Sequence, residues 1–222
     1  MPFRAWSSHT GWPPIGYNIT KMTDTDIDNT TPAAPSRPPF LVRRRTVFTW
    51  LVPLLLIASV FKFHLDIGGY ISLGVGIGLV FLGEVVRFWA AGYIAKDAIV
   101  TTGGPYGHVR NPLYFGSLLL CIGYGLISGL GWPVVAVLLV LFLIFHLAAI
   151  SYEEKFLTGK FGAPYTDYLA RVPRLIPSPW PRTRGEGSFA WSKAFENREH
   201  ISALFAVVFV IILTLCRYMR HS

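Results

Sequence analysis

Five stretches of this sequence are apolar over lengths close to a bilayer crossing, and this constrains the chain more than any other feature. They run from Thr46 to Phe63, Tyr70 to Ala95, Pro112 to Leu130, Trp132 to Tyr152 and Ile201 to Cys216. A helix needs about 20 apolar residues to cover the hydrocarbon. The first four are therefore expected to span, and the fifth either to span a thin region or to re-enter. The expected fold class is all-α, a polytopic integral membrane helix bundle of about five transmembrane helices.

Composition agrees. Hydrophobic residues make up 52% of the chain and charged residues 14%, where a soluble domain carries about 25% charged. Mean hydropathy is +0.46. The net charge of +8 sits at the ends of the apolar runs, which reads as membrane topology rather than nucleic-acid binding. Cys121 and Cys216 both fall inside apolar runs, which excludes a disulfide-stapled scaffold, and no Cys/His set has the spacing of a metal site.

Residues 1–45 are polar, rich in Pro, Thr and Asp, and are expected to be a disordered tail. Residues 46–177 form the expected core, 178–200 a linker and 201–222 a C-terminal membrane segment. The first apolar run follows Arg43, Arg44 and Arg45 and reads as an uncleaved start-anchor. A cytoplasmic N-terminus puts these arginines, the loop with Lys96 and Arg110, and the basic stretch from Lys155 to Arg198 on one side. Arg217 and Arg220 then fall on the wrong side of the positive-inside rule. Gly74/Gly78 and Gly125/Gly129 have the spacing that lets helices approach closely.

Polar groups inside a span cost about 2.5–3.5 kcal/mol each, so each asks for a reason. Glu84 and Arg87 are three residues apart, on one helix face, and either neutralise each other or leave Arg87 to fix an anion in a polar cavity. Lys62 and His64 are expected to snorkel to the interface. Between the second and third runs, Gly103, Gly104 and Pro105 force a turn with exposed amides. Asn111 is expected to cap the next helix, with Pro112 at its first position. A helix N-terminus attracts anions, and Arg110 adds charge there, with Tyr114 facing the same ligand. In the fourth run His146 and Glu153 share a stripe, while Glu154 is rotated by about 100°, so one carboxylate is expected to face a cavity and the other lysine or solvent. Tyr165, Tyr168 and Val172 then recur at helical spacing beside Arg171 and Arg174, as in an amphipathic interfacial helix.

Gly104-Pro105-Tyr106, then Arg110-Asn111-Pro112 with Tyr114, then Glu153-Glu154 with Leu157, Phe161-Gly162 with Tyr165 and Tyr168, and Val172-Pro173-Arg174 with Ile176-Pro177 follow in one order. That order resembles the membrane methyltransferases typified by isoprenylcysteine carboxyl methyltransferase, with the phospholipid methyltransferases as relatives, over roughly residues 84–177. The resemblance implies S-adenosylmethionine (AdoMet) as cofactor, held at the cytoplasmic face, and a lipophilic or lipidated acceptor entering from the bilayer. Gly104, Pro105, Tyr106, His108, Arg110, Asn111, Pro112, Tyr114, Glu154, Tyr165 and Tyr168 are then expected to hold the cofactor, and Arg87, Glu153 and Arg174 to serve the transfer. The family's usual histidine is Asn111 here, which does not titrate near neutral pH. This favours a carboxylate acceptor, already nucleophilic; an amine or thiol would need His108, His146 or Glu153 as base. Two other readings compete. An NADPH-dependent membrane reductase would share the helix number, although no G-x-G-x-x-G stretch occurs. A transporter or scaffold would leave the ordered polar residues unexplained.

Overall fold

A computed structural model describes residues 53, 56–58, 69–94, 100–185 and 187–219. All regular structure among them is helical. Helix α1 spans Gly69–Tyr93, α2 Pro112–Ile127, α3 Trp132–Phe161, α4 Ala163–Arg171, α5 Trp191–Glu196 and α6 Glu199–Met219, with a single 3-10 turn over Gly104–Gly107. Helices α1, α3 and α6 are long and apolar enough to cross a membrane. The expected helical membrane bundle is therefore what forms. The stretch 46–63 lies almost wholly outside the described residues, although Leu56 is buried in the main core beside Val80, Ile127 and Leu213.

Two boundaries differ from the sequence expectation. The third run ends as a helix at Ile127, not Leu130, and its 16 residues rise only about 24 Å. Ser128 donates to the Gly125 carbonyl at 2.6 Å, and the chain turns through Gly129 and Gly131 at φ +69° and +84°, values that Cβ-bearing residues avoid. The fifth run, expected to be short or re-entrant, is instead 21 residues from Glu199 to Met219, because Glu199 and His200 ahead of the apolar run and Arg217, Tyr218 and Met219 after it continue the helix.

Helices α1 and α2 pack antiparallel along a glycine seam, but not the one expected. A Cβ on Gly76 would lie 2.8 Å from the Gly123 carbonyl oxygen, and one on Gly83 would lie 2.8 Å from that of Gly116. Gly74 and Gly78 meet nothing within 4 Å. The glycines that touch are seven residues apart in each helix, so two full turns separate the contacts.

The other end of the bundle is closed by Arg217. Its guanidinium donates to the carbonyls of Gly69 (2.7 Å) and Ile127 (3.2 Å) and to the Ser72 hydroxyl (3.2 Å). This joins the ends of α1, α2 and α6. The residue is 5% exposed, so its conflict with the charge rule has a physical reason: its charge is held among carbonyls within the protein. At the opposite end lie the C-termini of α1 and α3, the N-termini of α2 and α6, and the loop between α1 and α2.

Candidate active site

The 3-10 turn follows from its sequence, since Pro105 supplies a fixed φ and Gly104, at φ +56°, sits flat against the Tyr93 ring where a Cβ would collide. Its amides are not exposed as expected. Tyr106 N donates to Gly103 O, and His108 N and Val109 N to Pro105 O, so these three amides are used within the turn.

The residues after it are stitched to the Val-Pro-Arg-x-Ile-Pro stretch. Arg110 N donates to Pro173 O and Ser178 N to His108 O, both at 2.9 Å. The Asn111 amide donates to Arg174 O at 2.9 Å, which corrects the expectation that it caps α2: no side-chain cap bond forms there. The His108 ring meets Ser178 O through Nδ1 at 2.9 Å, and a carbonyl only accepts, so Nδ1 carries the proton. Beyond this point, the stretch expected as a linker runs on over the turn, with Arg182 N on Gly107 O at 2.7 Å and the Thr183 hydroxyl on Thr102 O at 2.8 Å.

Helix α3 continues past its apolar part, and its last turns carry Glu153 and Glu154. Gly162, at φ +60°, breaks the helix and sends α4 back, burying Tyr165, Tyr168 and Val172 against Val100, Leu157 and Phe161. The apolar spacing read from the sequence is thus the buried face of α4. The Tyr168 hydroxyl donates to Tyr106 O at 2.9 Å, tying α4 to the turn.

A cleft opens between these elements. It is lined by Val100, Thr101, Tyr106, Arg110, Asn111, Pro112, Leu113, Tyr114, Glu153, Glu154, Leu157, Phe161, Tyr165 and Tyr168. Of the residues predicted for the site, Tyr106, Arg110, Asn111, Pro112, Tyr114, Glu153, Glu154, Tyr165 and Tyr168 are brought together here. Gly104, Pro105 and His108 lie outside the lining, as does Arg174, which reaches the cleft through Glu154. Val100, Thr101 and Leu113 were not expected; single loop or apolar residues of this kind carry no signature.

Both glutamates face the cleft, contrary to the expectation that only one would. Glu153 accepts from the Tyr114 hydroxyl at 2.9 Å. Glu154 meets Arg174 at 2.8 Å and Arg110 at 3.4 Å. The 100° between them is spanned because the cleft wraps α3, with α2 on one side and the Arg110–Arg174 seam on the other. The His146 ring stands edge-on to Tyr114 at 5.5 Å and stacks on Phe142 at 3.8 Å, with Nδ1 at 2.9 Å from Phe142 O.

Three buried polar atoms of this lining have no hydrogen-bond partner: Tyr106 Oη, Arg110 Nε and Glu154 Oε1. Arg110 Nε and Glu154 Oε1 are close enough to attract each other but are not aligned for a hydrogen bond. A buried group such as Tyr106 Oη, with neither hydrogen bond nor ion pair, costs about 1–3 kcal/mol, which a polar ligand would offset. Burial pushes the phenols of Tyr106, Tyr165 and Tyr168 well above the usual tyrosine range, with neighbouring Tyr168, Glu154 and Tyr165 respectively adding to the effect. They stay neutral donors near pH 7.

Arg87 is placed elsewhere. Its guanidinium donates to both oxygens of Glu199, at 2.9 and 3.2 Å, and to the Ser117 hydroxyl at 2.7 Å. The anion it fixes is therefore the first turn of α6, rather than Glu84, three residues away on its own helix. Sequence reading missed Glu199 because the pair spans 112 residues.

These two motif-bearing stretches, joined in one cleft at the end of a membrane bundle, have known counterparts. The family model described as phospholipid methyltransferase matches residues 71–164. The cobalt-zinc-cadmium resistance protein CzcN of Cupriavidus metallidurans is 34% identical over 164 residues, covering 70% of this chain and 75% of the relative. Protein-S-isoprenylcysteine O-methyltransferase of Schizosaccharomyces pombe is 34% identical over 82 residues, 37% of this chain and 34% of the relative. No solved structure matches. The matched region contains both glutamates, the turn and the start of α2, and on this basis the chain belongs to the phospholipid methyltransferase family and is a membrane methyltransferase.

Proposed function

We propose that this methyltransferase uses AdoMet, held in the cleft at the cytoplasmic face, and methylates the carboxylate of a lipophilic acceptor that enters from the bilayer. The observation that carries the reading is the set of orphaned atoms in the cleft. Glu154 Oε1 can meet a cation or a hydroxyl, Arg110 Nε an anion, and Tyr106 Oη either a donor or an acceptor. AdoMet combines a carboxylate, an ammonium, ribose hydroxyls and an adenine ring, and the paired charges and tyrosine walls fit that mixture. When bound, it supplies an electrophilic methyl group on a positively charged sulfur.

The residues of the chain bind, orient and exclude water. The start of α2 presents its N-terminal dipole to the cleft. Glu153 is held by Tyr114, so its carboxylate has a defined position, and Arg174 and Arg110 do the same for Glu154. Tyr165, Tyr168 and Phe161 shield these groups, which strengthens every charge interaction among them. Positioning of this kind supplies much of the rate in displacement reactions.

A carboxylate acceptor is supported by the commitments of the candidate bases: no histidine stands in the described lining, and Glu153, which does, is held by the Tyr114 hydroxyl. Asn111 is committed to Arg174 O, His108 to Ser178 O and His146 to Phe142 O. An acceptor that is already ionised needs no base. A phospholipid amine, which the description of the family model favours, is the second reading.

Incubation of the purified protein in detergent with methyl-labelled AdoMet and a panel of lipophilic carboxylates, amines and thiols tests this. Saturable AdoMet binding and label in a base-labile ester are expected. Label in amines alone would overturn the acceptor assignment, and no binding by folded protein would overturn the cofactor.

A further inference from the structure

A second concavity lies between α1 and α6. Its lining shares no residue with the cleft, and it encloses about 750 Å³. The α6 wall is aliphatic, with Val207, Val210 and Ile211, and α1 and the stretch before α6 add the aromatic residues Phe81, Phe88, Trp89, Phe189 and Trp191. Among the described lining residues one acidic side chain stands, Glu84.

Glu84 is 9% exposed. Its Oε1 accepts a long bond from the Ser202 hydroxyl at 3.4 Å, and its Oε2 has no hydrogen-bond partner. The cation nearest to it in sequence, Arg87, is committed to Glu199 and Ser117. Arg87 is thus taken up by Glu199 and Ser117, which leaves Glu84 as a buried carboxyl group beside an apolar groove, one of its oxygens without a hydrogen-bond partner. Such a group is costly unless a partner arrives. Aromatic faces around a carboxylate favour an ammonium, through attraction to the ring quadrupoles together with the charge. The aliphatic wall has the character of a slot for a hydrocarbon chain.

We propose that the α1/α6 groove is a binding site for a single-chain membrane amphiphile bearing an ammonium group, its chain along α6 and its ammonium on Glu84. The site is separate from the cleft and does not depend on which acceptor is methylated. Glu84 disfavours anionic head groups by charge, and a neutral hydroxyl gains the hydrogen bond without the ionic and cation–π contributions.

Quenching of tryptophan fluorescence by chain-brominated probes tests the proposal in maltoside micelles. The probes are an alkyl trimethylammonium, the matched alcohol and the matched sulfate. Trp89→Phe and Trp191→Phe assign the signal to the groove. The ammonium is expected to quench at about one-tenth the concentration the alcohol requires, with the sulfate weakest. In Glu84→Gln the ammonium and alcohol curves are expected to coincide. Ala203→Phe, which fills the groove and leaves the Glu84 side chain in place, is expected to abolish ammonium quenching, and it serves also if the Glu84 variant fails to fold. Equal response to all three head groups in the unmodified protein, or quenching that survives Ala203→Phe, overturns the proposal. AdoMet binding measured on the same samples separates this result from the fate of the cleft reading.

Discussion

Replacing Gly116 by Ala adds one methyl group to the seam between α1 and α2. That Cβ would lie 2.7 Å from the Gly83 carbonyl oxygen and 2.5 Å from Arg87 Cγ. Ordinary contact begins at 3.4 Å, so the backbone oxygen is 0.7 Å too close and the helices must part. Overpacking of this kind costs about 1–3 kcal/mol. Arg87 is also pushed, and its bond to Glu199, at 2.9 Å, lies directly beyond. Losing a buried pair on one side adds about 3–5 kcal/mol, so the total loss is expected to lie between about 1 and 8 kcal/mol, depending on whether the pair survives. Gly74→Ala is the control. It sits in the same helix pair, its Cβ meets nothing within 4 Å, and helix propensity makes it stabilising by about 0.5–1 kcal/mol. Unfolding in mixed micelles, followed by loss of helical signal, measures both. If Gly116→Ala and Gly74→Ala shift the midpoint equally, the seam assignment is wrong. Because α2 begins at the cleft, the Gly116 variant is also expected to lose AdoMet affinity, and Gly74→Ala is expected to keep it.

Tyr114→Phe removes the hydroxyl on Glu153 and is expected to weaken AdoMet binding by about ten- to hundredfold with helicity intact, the value of one hydrogen bond to a charged group, as calorimetric titration would show. Glu153→Gln and Glu154→Gln are both expected to reduce activity in a labelled-methyl assay, the second by at least about tenfold, since it leaves the guanidiniums of Arg110 and Arg174 without their anion. The phenols of Tyr106, Tyr165 and Tyr168 are held above their ordinary range in the folded state. Their contribution is therefore fully present below about pH 10 and is lost above it, where the unfolded chain ionises first; the unfolding midpoint is expected to fall between pH 9 and 11 and less so in Tyr168→Phe. Ser192→Cys, at an exposed site in the basic stretch, is expected to label only from the cytoplasmic side and Tyr70→Cys, 91% exposed, only from the other. Labelling of Ser192→Cys from outside would reverse the orientation.

The helices were legible because lipid exposure leaves its mark residue by residue. A span must be apolar along its whole length, and most of the 26 large hydrophobic residues exposed on the described surface lie on α1, α3 and α6, where hydrocarbon would cover them. The turn and the α4 face were legible for a local reason too: Gly-Gly-Pro fixes φ, and Tyr165, Tyr168 and Val172 fall on one stripe. The motif order also carried the family, because residues that surround one ligand keep their spacing within each local element.

Partners far apart in the chain were not legible in this way. Which glycines touch is set by the register of the helices: Gly74 and Gly78 meet nothing, Gly125 packs on Val135 and Leu138 of α3, and the α1–α2 contact falls to Gly76, Gly83, Gly116 and Gly123. Arg87 was assigned to a neighbour three residues away, yet Glu199 reaches it because α6 returns beside α1. Asn111 was read as a cap from local preference; it stands at the N-cap position, but its side chain is turned to donate to the Arg174 carbonyl and makes no cap bond. The cleft follows the same division. Sequence alone determined that two glutamates, a basic loop and two tyrosines would lie at one end of a membrane bundle, since each is fixed by its own helix or turn. Only the tertiary structure decided that both glutamates face inward and that Glu84 is left over, because charge pairing in a low-dielectric interior depends on distances between elements that the order of residues does not contain.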